Sequence, residues 1–572
     1  MMLTRRIIFL LLCLLVSMQV MQAKLDLALS TSSMKVYQTG AEKLVVYTDV
    51  PGHETKFHDT DPHAKSPIYE IRVRSQATDM QWVQCFAHHT YNRAQELPKM
   101  SATRGNTNPA VRQGYQHHTG GWSQAYANIE MSDDSTVEVE ISKIGDALLD
   151  GAKVIEKSAV HPSHKVFEKK VQNGNVYFKM KKPCQLVIDP NGQMDDHNAA
   201  FPKLKQVGLV HSVTFFANPI MEKPPTSGSG IRYVKAGEKI ANDPADYNTM
   251  VFSPGVHYIS SLELSAGKKY FIPGDAILYG NLYCGNAKEI TIYGYGTLSG
   301  FYNPHYQYGS TNTVANPSYP ADARGSQGLN LNNTKNTSIH GITIADPATF
   351  SAFVLGGKGG VGNSKFVWTK AISWRTNGDG FGGDLKVEDC FLRTGDDSTV
   401  LNGNRLRCTL WKDSNARMIR FKNWNNGRTV KMEDCDIIYN RLRNQNGSNG
   451  KVFIISNNGP KDRVIEVNVT IKDVRFHDKL SNMAVFDLDS TEGEAGISYT
   501  GLTFENVSCY LPMNPAIRNK LIGMEKTPWN DSPVFKNVTF DHQDGKPPVK
   551  LTKENFKQYF DTNEYANPKF LP

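Results

Sequence analysis

Hydrophobic and polar residues alternate along this chain in two different patterns, one in each part of the chain. From residue 24 to about 225 the alternating runs are separated by turn residues at uneven intervals. Examples are Lys43–Thr48, Ile68–Val73, Thr136–Ile141 and Gly174–Met180. Alternation with a period of two puts one face of each strand inward, and runs of this kind are typical of an antiparallel β-sandwich. We therefore predict a sandwich domain over residues 24–225.

A linker rich in Pro, Ser and Gly follows at residues 223–230, and the pattern of strands and turns is different after it. Short alternating strands recur, each ending in Asp, Asn or Gly. The later turn residues Asp434, Asp473, Asn506 and Asn537 are 39, 33 and 31 residues apart. An irregular repeat of this size is typical of a solenoid.

Asn and Gly suit such turns because they tolerate the left-handed backbone conformation best. The repeat predicts an all-β chain in which a right-handed parallel β-helix occupies residues 226–550. Residues 551–572 are expected to form a tail or a cap, with a short helix near residue 556 as one form of it. A second ordinary sandwich is the alternative to the β-helix.

The first 23 residues have the pattern of a secretory signal peptide. Arg5 and Arg6 precede an apolar run over residues 7–16, and Met21-Gln-Ala23 is a suitable cleavage site. The run is short for a membrane span, although an uncleaved anchor is the alternative. We expect a protein that is secreted or periplasmic and has no membrane attachment once the signal is removed.

The composition of the chain argues against several classes of function. Hydrophobic residues make up 39% and charged residues 21%, as in a soluble globular protein, and the net charge of +8 is dispersed without a basic run. A nucleic-acid partner is therefore not expected. Outside the signal there are seven cysteines, an odd number, and no CxxC spacing, so neither a zinc cluster nor a disulfide framework is indicated. We predict buried thiols, with one or two disulfides as the alternative, and expect a monomer without metal or cofactor.

The candidate catalytic residues are concentrated in residues 374–400. Asp379 lies in a Gly-rich turn, the β-like run Leu385–Leu392 follows, and the pair Asp396 and Asp397 comes next. The offset of 17 residues from Asp379 to Asp396 is about one coil of a solenoid, so the carboxylates would stack. Glycosidic bond cleavage needs one protonated carboxyl group and a second carboxylate, and clustered acids raise the pKa of one member. The alternative for Asp-Asp is a solvated turn.

Four segments resemble glycoside hydrolase family 49, the dextranase and isopullulanase family. They are Trp374–Gly380, Thr394–Asp397, Thr409–Asp413 and Asn423–Arg428. The resemblance implies a sandwich followed by a β-helix, and an endo-acting, inverting hydrolase of a dextran-like α-1,6 glucan. It also implies that Asp396 is the general acid and that Asp379 and Asp397 position and activate water.

Several further residues are candidates for binding the polysaccharide. The rings of Trp374, Trp411 and Trp424 could stack on sugars or fill the core of a coil. Lys412 and Arg428 could bind sugar hydroxyls or simply be exposed, and Asn377 is a further candidate in the turn of Asp379. The alternatives to a dextranase are a polygalacturonase-like hydrolase, a lyase acting on an acidic glycan, and a β-helix that binds glycans without cleaving them.

Overall fold

The computed structural model describes most of the sandwich and helix regions. The described residues are 24–25, 29–53, 63, 65–75, 81–91, 123–133, 135–144, 158–190, 192, 211–240, 246–303, 327–356, 361–373, 378–383, 385–395, 397–400, 404–412, 419–421, 428–440, 451–455, 465–479, 484–489, 497–512, 515–523, 532–542 and 546–572. The fold class predicted from the sequence is confirmed: a β-sandwich precedes a right-handed parallel β-helix.

The sandwich consists of two sheets around one apolar core. The larger sheet contains Lys24–Leu25, Met34–Thr39, Glu42–Tyr47, His88–Tyr91, Ser123–Met131, Ala159–His161, Cys184–Asp189 and Ser212–Pro219. The smaller sheet contains Tyr69–Ser75, Val83–Gln84, Val137–Lys143, Phe167–Gln172 and Asn175–Met180. Alternate residues of each strand, such as Val139 and Ile141, fill the core between the sheets. One pairing is parallel, between Ser123–Met131 and Ser212–Pro219, within an otherwise antiparallel pattern.

The β-helix is built from three parallel sheets, and most of its coils contribute a strand to each. Four long strands pass from one sheet to the next: Gly255–Glu263, Ala276–Gly285, Ile465–Phe476 and Ile497–Tyr510. The first sheet contains Ile231–Val234, Thr249–Phe252, Lys269–Phe271, Thr291–Tyr293, Ser338–His340, Lys365–Val367, Lys386–Glu388, Arg405–Leu406, Arg428–Glu433, Ile465–Phe476, Ile497–Tyr510, Val534–Lys536 and Lys569–Leu571. The second contains Gly255–Glu263, Ala276–Gly285, Thr297–Ser299, Thr343–Ala345, Lys370–Ile372, Phe391–Thr394, Thr409–Lys412, Asp436–Asn440 and Thr539–Asp541, which Val549–Lys550 joins antiparallel. The third contains Leu329–Asn332, Ala352–Leu355, Phe381–Gly383, Thr399–Val400, Ile419–Phe421, Lys451–Ile455, Ala484–Asp489, Asn519–Ile522 and Phe560–Thr562.

A row of left-handed residues turns the chain from the first sheet to the second. We call it the turn row; its members are Trp368, Asp389, Arg407, Asp434, Asp473, Asn506 and Asn537, with φ between 50° and 53°. The four turn residues predicted from the repeat are thereby confirmed. Their side chains also bond between coils: Asn506 Nδ2 donates to Asp473 Oδ1 at 2.8 Å, and Asn537 Nδ2 donates to Asn506 Oδ1 at 2.9 Å.

The cysteines are buried thiols, as predicted. None of the seven described cysteines forms a disulfide. Cys390, Cys408 and Cys435 each follow a member of the turn row and stack on adjacent coils, where the Cys408 N–H donates to Cys435 Sγ at 3.3 Å. Burial raises the pKa of the Cys390 and Cys435 thiols well above the ordinary value, so these groups are held as unreactive core residues.

The sandwich packs against the outer face of the second helix sheet. Tyr126, Val187 and Phe216 of the larger sandwich sheet form an apolar cluster with Phe391 and Trp411 of the helix. The Arg393 guanidinium lies 4.2 Å from the centre of the Trp411 ring and donates to Gln124 Oε1 of the sandwich at 2.7 Å. This interface therefore combines ring packing with a buried charged hydrogen bond.

The same interface continues toward the start of the helix. Lys370 is fully buried, and its Nζ donates to Asn218 Oδ1 at 2.5 Å and to the Gly341 carbonyl at 2.8 Å. Burial lowers its pKa well below the ordinary lysine value. Farther along, Val50 and Phe86 of the sandwich pack against Ile277 and Tyr279 of the helix. The docked surface thus covers many coils.

The end of the chain belongs to the helix. Phe556–Tyr559 forms a short α-helix, and Phe560–Thr562 then pairs with Asn519–Ile522 of the third sheet. Lys569–Leu571 pairs with Val534–Lys536 of the first sheet. These residues add strands to the stack.

No helix among the described residues is long and apolar enough to cross a bilayer. Residues 1–23 lie outside the described part of the chain, so the signal peptide and the secreted or periplasmic location stay predictions.

Because several histidines are buried in the sandwich, we expect acid to destabilise the protein. Burial lowers the pKa of His88, His89 and His211 to about 3, from an ordinary value of 6.5. A lowered histidine pKa means that the unfolded chain binds more protons, so stability is lost as the pH falls from 6.5 toward 3. Each group adds a slope of about 1.4 kcal/mol per pH unit in that window.

Urea denaturation at several values from about pH 6.5 down to 5 measures this slope before most carboxylates titrate. His211→Asn is the matched variant, because His211 has φ 52° and Asn accepts that conformation. We expect the variant to lose part of the slope. A stability that does not change over this range would contradict the prediction.

Candidate active site

Asp379 and Asp397 lie on neighbouring coils, in the turn between the second and third sheets. The strand pairing sets Phe381 beside Thr399, and two residues back on both strands are Asp379 and Asp397. The Gly380 N–H donates to the Asp397 carbonyl at 3.0 Å, and the Gly395 N–H donates to the Gly378 carbonyl at 3.0 Å. Because neighbouring strands are about 4.8 Å apart, the turn brings the two aspartates side by side. We call this segment the acid turn.

Glycine makes the close approach of the two coils possible. A Cβ atom at Gly380 would lie 2.1 Å from the Ser398 carbonyl oxygen and 2.6 Å from Leu392 Cδ2. Any side chain at this position would push the coils apart. The Gly-Asp-Gly sequence therefore fixes Asp379 against the next coil.

The two carboxylates differ in exposure. Asp397 is 4% exposed, and the neighbouring Thr394 and Ser398 hydroxyls are buried and hydrogen-bonded to each other at 2.8 Å. Asp379 is only half-buried. The acid turn thus places one carboxylate inside the wall of the helix and one where solvent reaches it.

Ser351 supports the acid turn from the preceding coil and was not predicted from the sequence. Its N–H donates to the Asp379 carbonyl at 2.8 Å. It precedes Asp379 by 28 residues, whereas Asp379 precedes its neighbour Asp397 by 18. Because coil length changes between these two steps, no regular spacing in the sequence points to Ser351.

Several predicted residues lie wholly or partly outside the described structure. Asp396, Trp374, Asn377 and Trp424 are outside the described residues, and their roles stay predictions. The backbone of Lys412 is described and pairs with Thr394, so Lys412 lies one coil beyond the acid turn. Arg428 begins a strand of the first sheet, paired with Val467. The side chains of Lys412 and Arg428 lie outside the described part of the structure.

For Trp411 the structure contradicts the predicted role in substrate binding. It was a candidate for stacking on a sugar, but its side chain is fully buried between the sandwich and the helix. Its strand lies in the second sheet, and the residues that face outward there meet the other domain instead of solvent. Asp389, in contrast, is a turn residue with φ 52°, and each of its carboxylate oxygens accepts a hydrogen bond from Arg407 at 2.7 Å.

One group of described side chains has the composition of a metal site. Ligand atoms of His164, Asp436 and His477 lie within 4.8 Å of one another at the domain interface. Burial opposes ionisation of Asp436, but hydrogen bonds from His477 and Arg475 hold its pKa below the usual range, and Lys165 Nζ lies 3.2 Å away. A cation would compete with two positive side chains already bound there, so the cluster is an ion network between the domains.

Comparisons with known proteins support the fold. No protein-family model matches the chain. No curated protein matches it either. Among solved structures, Dex49A from Penicillium minioluteum is similar with a TM-score of 0.69 and 15% identity, covering 95% of this chain and 100% of that one. The predicted resemblance is thereby confirmed at the level of the fold.

Two further solved structures are similar over parts of the chain. A polygalacturonase from Erwinia carotovora ssp. carotovora has a TM-score of 0.40 and 14% identity, covering 61% of this chain and 99% of that one. A family 28 exopolygalacturonase from Yersinia enterocolitica has a TM-score of 0.36 and 11% identity, covering 91% and 92%.

Proposed function

We propose that this chain is a secreted or periplasmic glycoside hydrolase of family 49 that cleaves internal bonds of a dextran-like α-1,6 glucan with inversion. The observation that carries the proposal is the acid turn, where Asp379 and Asp397 lie side by side on neighbouring coils and Asp396 is adjacent in sequence. The fold likeness to Dex49A, a family 49 dextranase, supports the same substrate class. The enzyme would act as a monomer and use carboxylates alone, without metal or cofactor.

The chemistry follows from an acid and a base on opposite sides of the scissile bond. Asp396 donates its proton to the glycosidic oxygen as the bond to the anomeric carbon breaks. Asp379 and Asp397 orient a water molecule, take up its proton and direct its oxygen to the opposite face of the sugar. Inverting enzymes leave about 6.5–9.5 Å between acid and base for that water. The partial exposure of Asp379 gives the water a route to the site.

A substrate screen with time-resolved NMR tests the proposal. Dextran, pullulan and polygalacturonate are incubated with the enzyme, and the anomeric protons of the first products are recorded before mutarotation. We expect dextran to give oligosaccharides of mixed length whose new reducing ends are first β, because an α bond has been inverted.

Other outcomes would contradict specific parts of the proposal. A first product in the α form would overturn inversion, and the release of one small sugar only would overturn internal cleavage. An unsaturated product from polygalacturonate would indicate a lyase. Binding without cleavage of any polymer would indicate a glycan-binding β-helix.

A further inference from the structure

A groove of about 680 Å³ runs between the sandwich and the turn row. The helix lines it with Trp368, Asp389, Arg407 and Asp434, and the sandwich lines it with residues that include Phe167 and Lys181. The acid turn lies elsewhere. Asp389 precedes the strand Phe391–Thr394 and the acid turn follows it, so the groove and the acids are at opposite edges of the second sheet.

The helix wall of the groove is linear and rigid. Its four residues are on consecutive coils, which are about 4.8 Å apart, so together they extend over about 14 Å. Backbone bonds fix each one to the next coil: the N–H groups of Trp368, Asp389 and Arg407 donate across at 3.0, 2.9 and 3.0 Å. A wall with this repeat is suited to a linear polymer.

Trp368 and Arg407 are the two members of the turn row that are neither Asp nor Asn, and Trp368 is the aromatic one. Its φ is 53°, in a turn position that the coils on either side fill with Gly341 and Asp389. The left-handed conformation costs about 1–2 kcal/mol for a residue with a side chain, and strain of this kind concentrates at ligand sites. Trp368 is half-buried and lines the groove, as does Phe167 on the opposite wall. The groove therefore has an aromatic side chain on each side.

Hydrogen bonds hold several polar groups that line the groove in fixed orientations. Arg407 Nε and Nη2 each donate to Asp389 at 2.7 Å, and Asp434 accepts from Arg475 at 2.6 Å. Gln185 Nε2 donates to the Asp389 carbonyl at 2.5 Å and joins the two walls. Such fixed donors and acceptors suit the hydroxyl groups of a sugar.

Charge in the groove favours a neutral ligand over a polyanion. Its positive residues are Lys165, Lys181, Lys182 and Arg407, and its acids are Asp133, Asp389 and Asp434. The signs almost balance, and Arg407 is already paired with Asp389.

We propose that this groove is a second, non-catalytic binding site for a segment of neutral glucan, with Trp368 as its stacking platform. That the neutral glycan is a glucan rests on the proposed function. A polymer held there is tethered to the enzyme that carries the acid turn, so its other segments meet the acid turn at a raised effective concentration.

Calorimetric titration with isomaltotetraose tests the site. The parent is Asp397→Asn, which slows turnover, and the test variant adds Trp368→Gly. Glycine removes the ring and accepts φ 53°, so the variant should fold. We expect two bound tetrasaccharides per parent chain. In the variant, the Kd of the groove site should rise about tenfold on loss of the stacking, while the Kd of the other site stays the same.

Trp82→Ala is the matched control, because Trp82 is a half-buried sandwich tryptophan outside the groove, under Arg74 at 4.5 Å. It should keep two sites. In the otherwise unmodified enzyme, Trp368→Gly should raise KM for long dextran and leave kcat on isomaltotetraose unchanged.

Equal stoichiometry and affinity in the parent and in Trp368→Gly would overturn the proposal, as would a single site in the parent. A Trp368-dependent site that takes only an oligogalacturonide would overturn the neutral ligand. If glucan binding depends on Trp368 but the protein hydrolyses no dextran, the result would support the groove site and overturn the proposed function.

Discussion

Replacing Asp379, Asp396 or Asp397 by Asn, one at a time, is expected to lower kcat on dextran by about 10²–10⁴-fold. An amide can neither donate a proton to the leaving oxygen nor accept one from water. Because Asn is nearly isosteric with Asp, the thermal midpoint should change little. The measurement is the initial rate of reducing-sugar release, with the circular dichroism spectrum and melting temperature recorded for each variant.

Asp473→Asn is the control for this series. Asp473 occupies the turn row with φ 53°, and the next two coils carry Asn at the same position, so the variant should keep full activity. Substantial turnover by Asp396→Asn would overturn its assignment as the general acid. Full activity of Asp379→Asn alone would remove that residue from the water-activating side.

Replacing Trp411 by Ala is expected to lower the free energy of unfolding by about 3–5 kcal/mol. The ring is fully buried between the two domains, and the Arg393 guanidinium loses its stacking partner when the ring is removed. Urea denaturation followed by circular dichroism measures the loss. KM of the folded enzyme should not change, because the ring is not open to a sugar.

Two variants separate this structural role from substrate binding. Trp411→Phe keeps an apolar ring and should lose less stability than the alanine variant. Trp82→Ala removes a half-buried ring from the sandwich and should cost less as well. A raised KM with unchanged stability in Trp411→Ala would mean that the ring binds substrate.

The turn row shows which parts of the fold the sequence can predict. Asp434, Asp473, Asn506 and Asn537 are predicted by the repeat of turn residues, and Asn and Asp adopt a left-handed backbone more readily than most residues. Trp368 has the same conformation without any such preference. Strand pairing on both sides of it imposes its φ, and pairing between distant coils cannot be deduced from residue type.

The site was predictable to a similar extent. The glycines around Asp379 and the 17-residue offset to Asp396 predict carboxylates on neighbouring coils, and the observed register, with an offset of 18 residues, places Asp397 beside Asp379. The error over Trp411 has a different origin: alternation shows which residues of a strand share a face, but not that a second domain covers that face. The parallel pairing of Ser123–Met131 with Ser212–Pro219 is likewise a long-range contact without a local signal.

The docked sandwich also changes how the helix should come apart. In a solenoid each coil contacts only its neighbours, so coils can melt one after another from an end. Here sandwich residues pack against the helix from Ile277 to Tyr439. Melting a single coil in this stretch would also expose the apolar face of the sandwich that packs on it. Losing one coil therefore weakens the packing of its neighbours against the same face. The stretch should therefore unfold in one cooperative step.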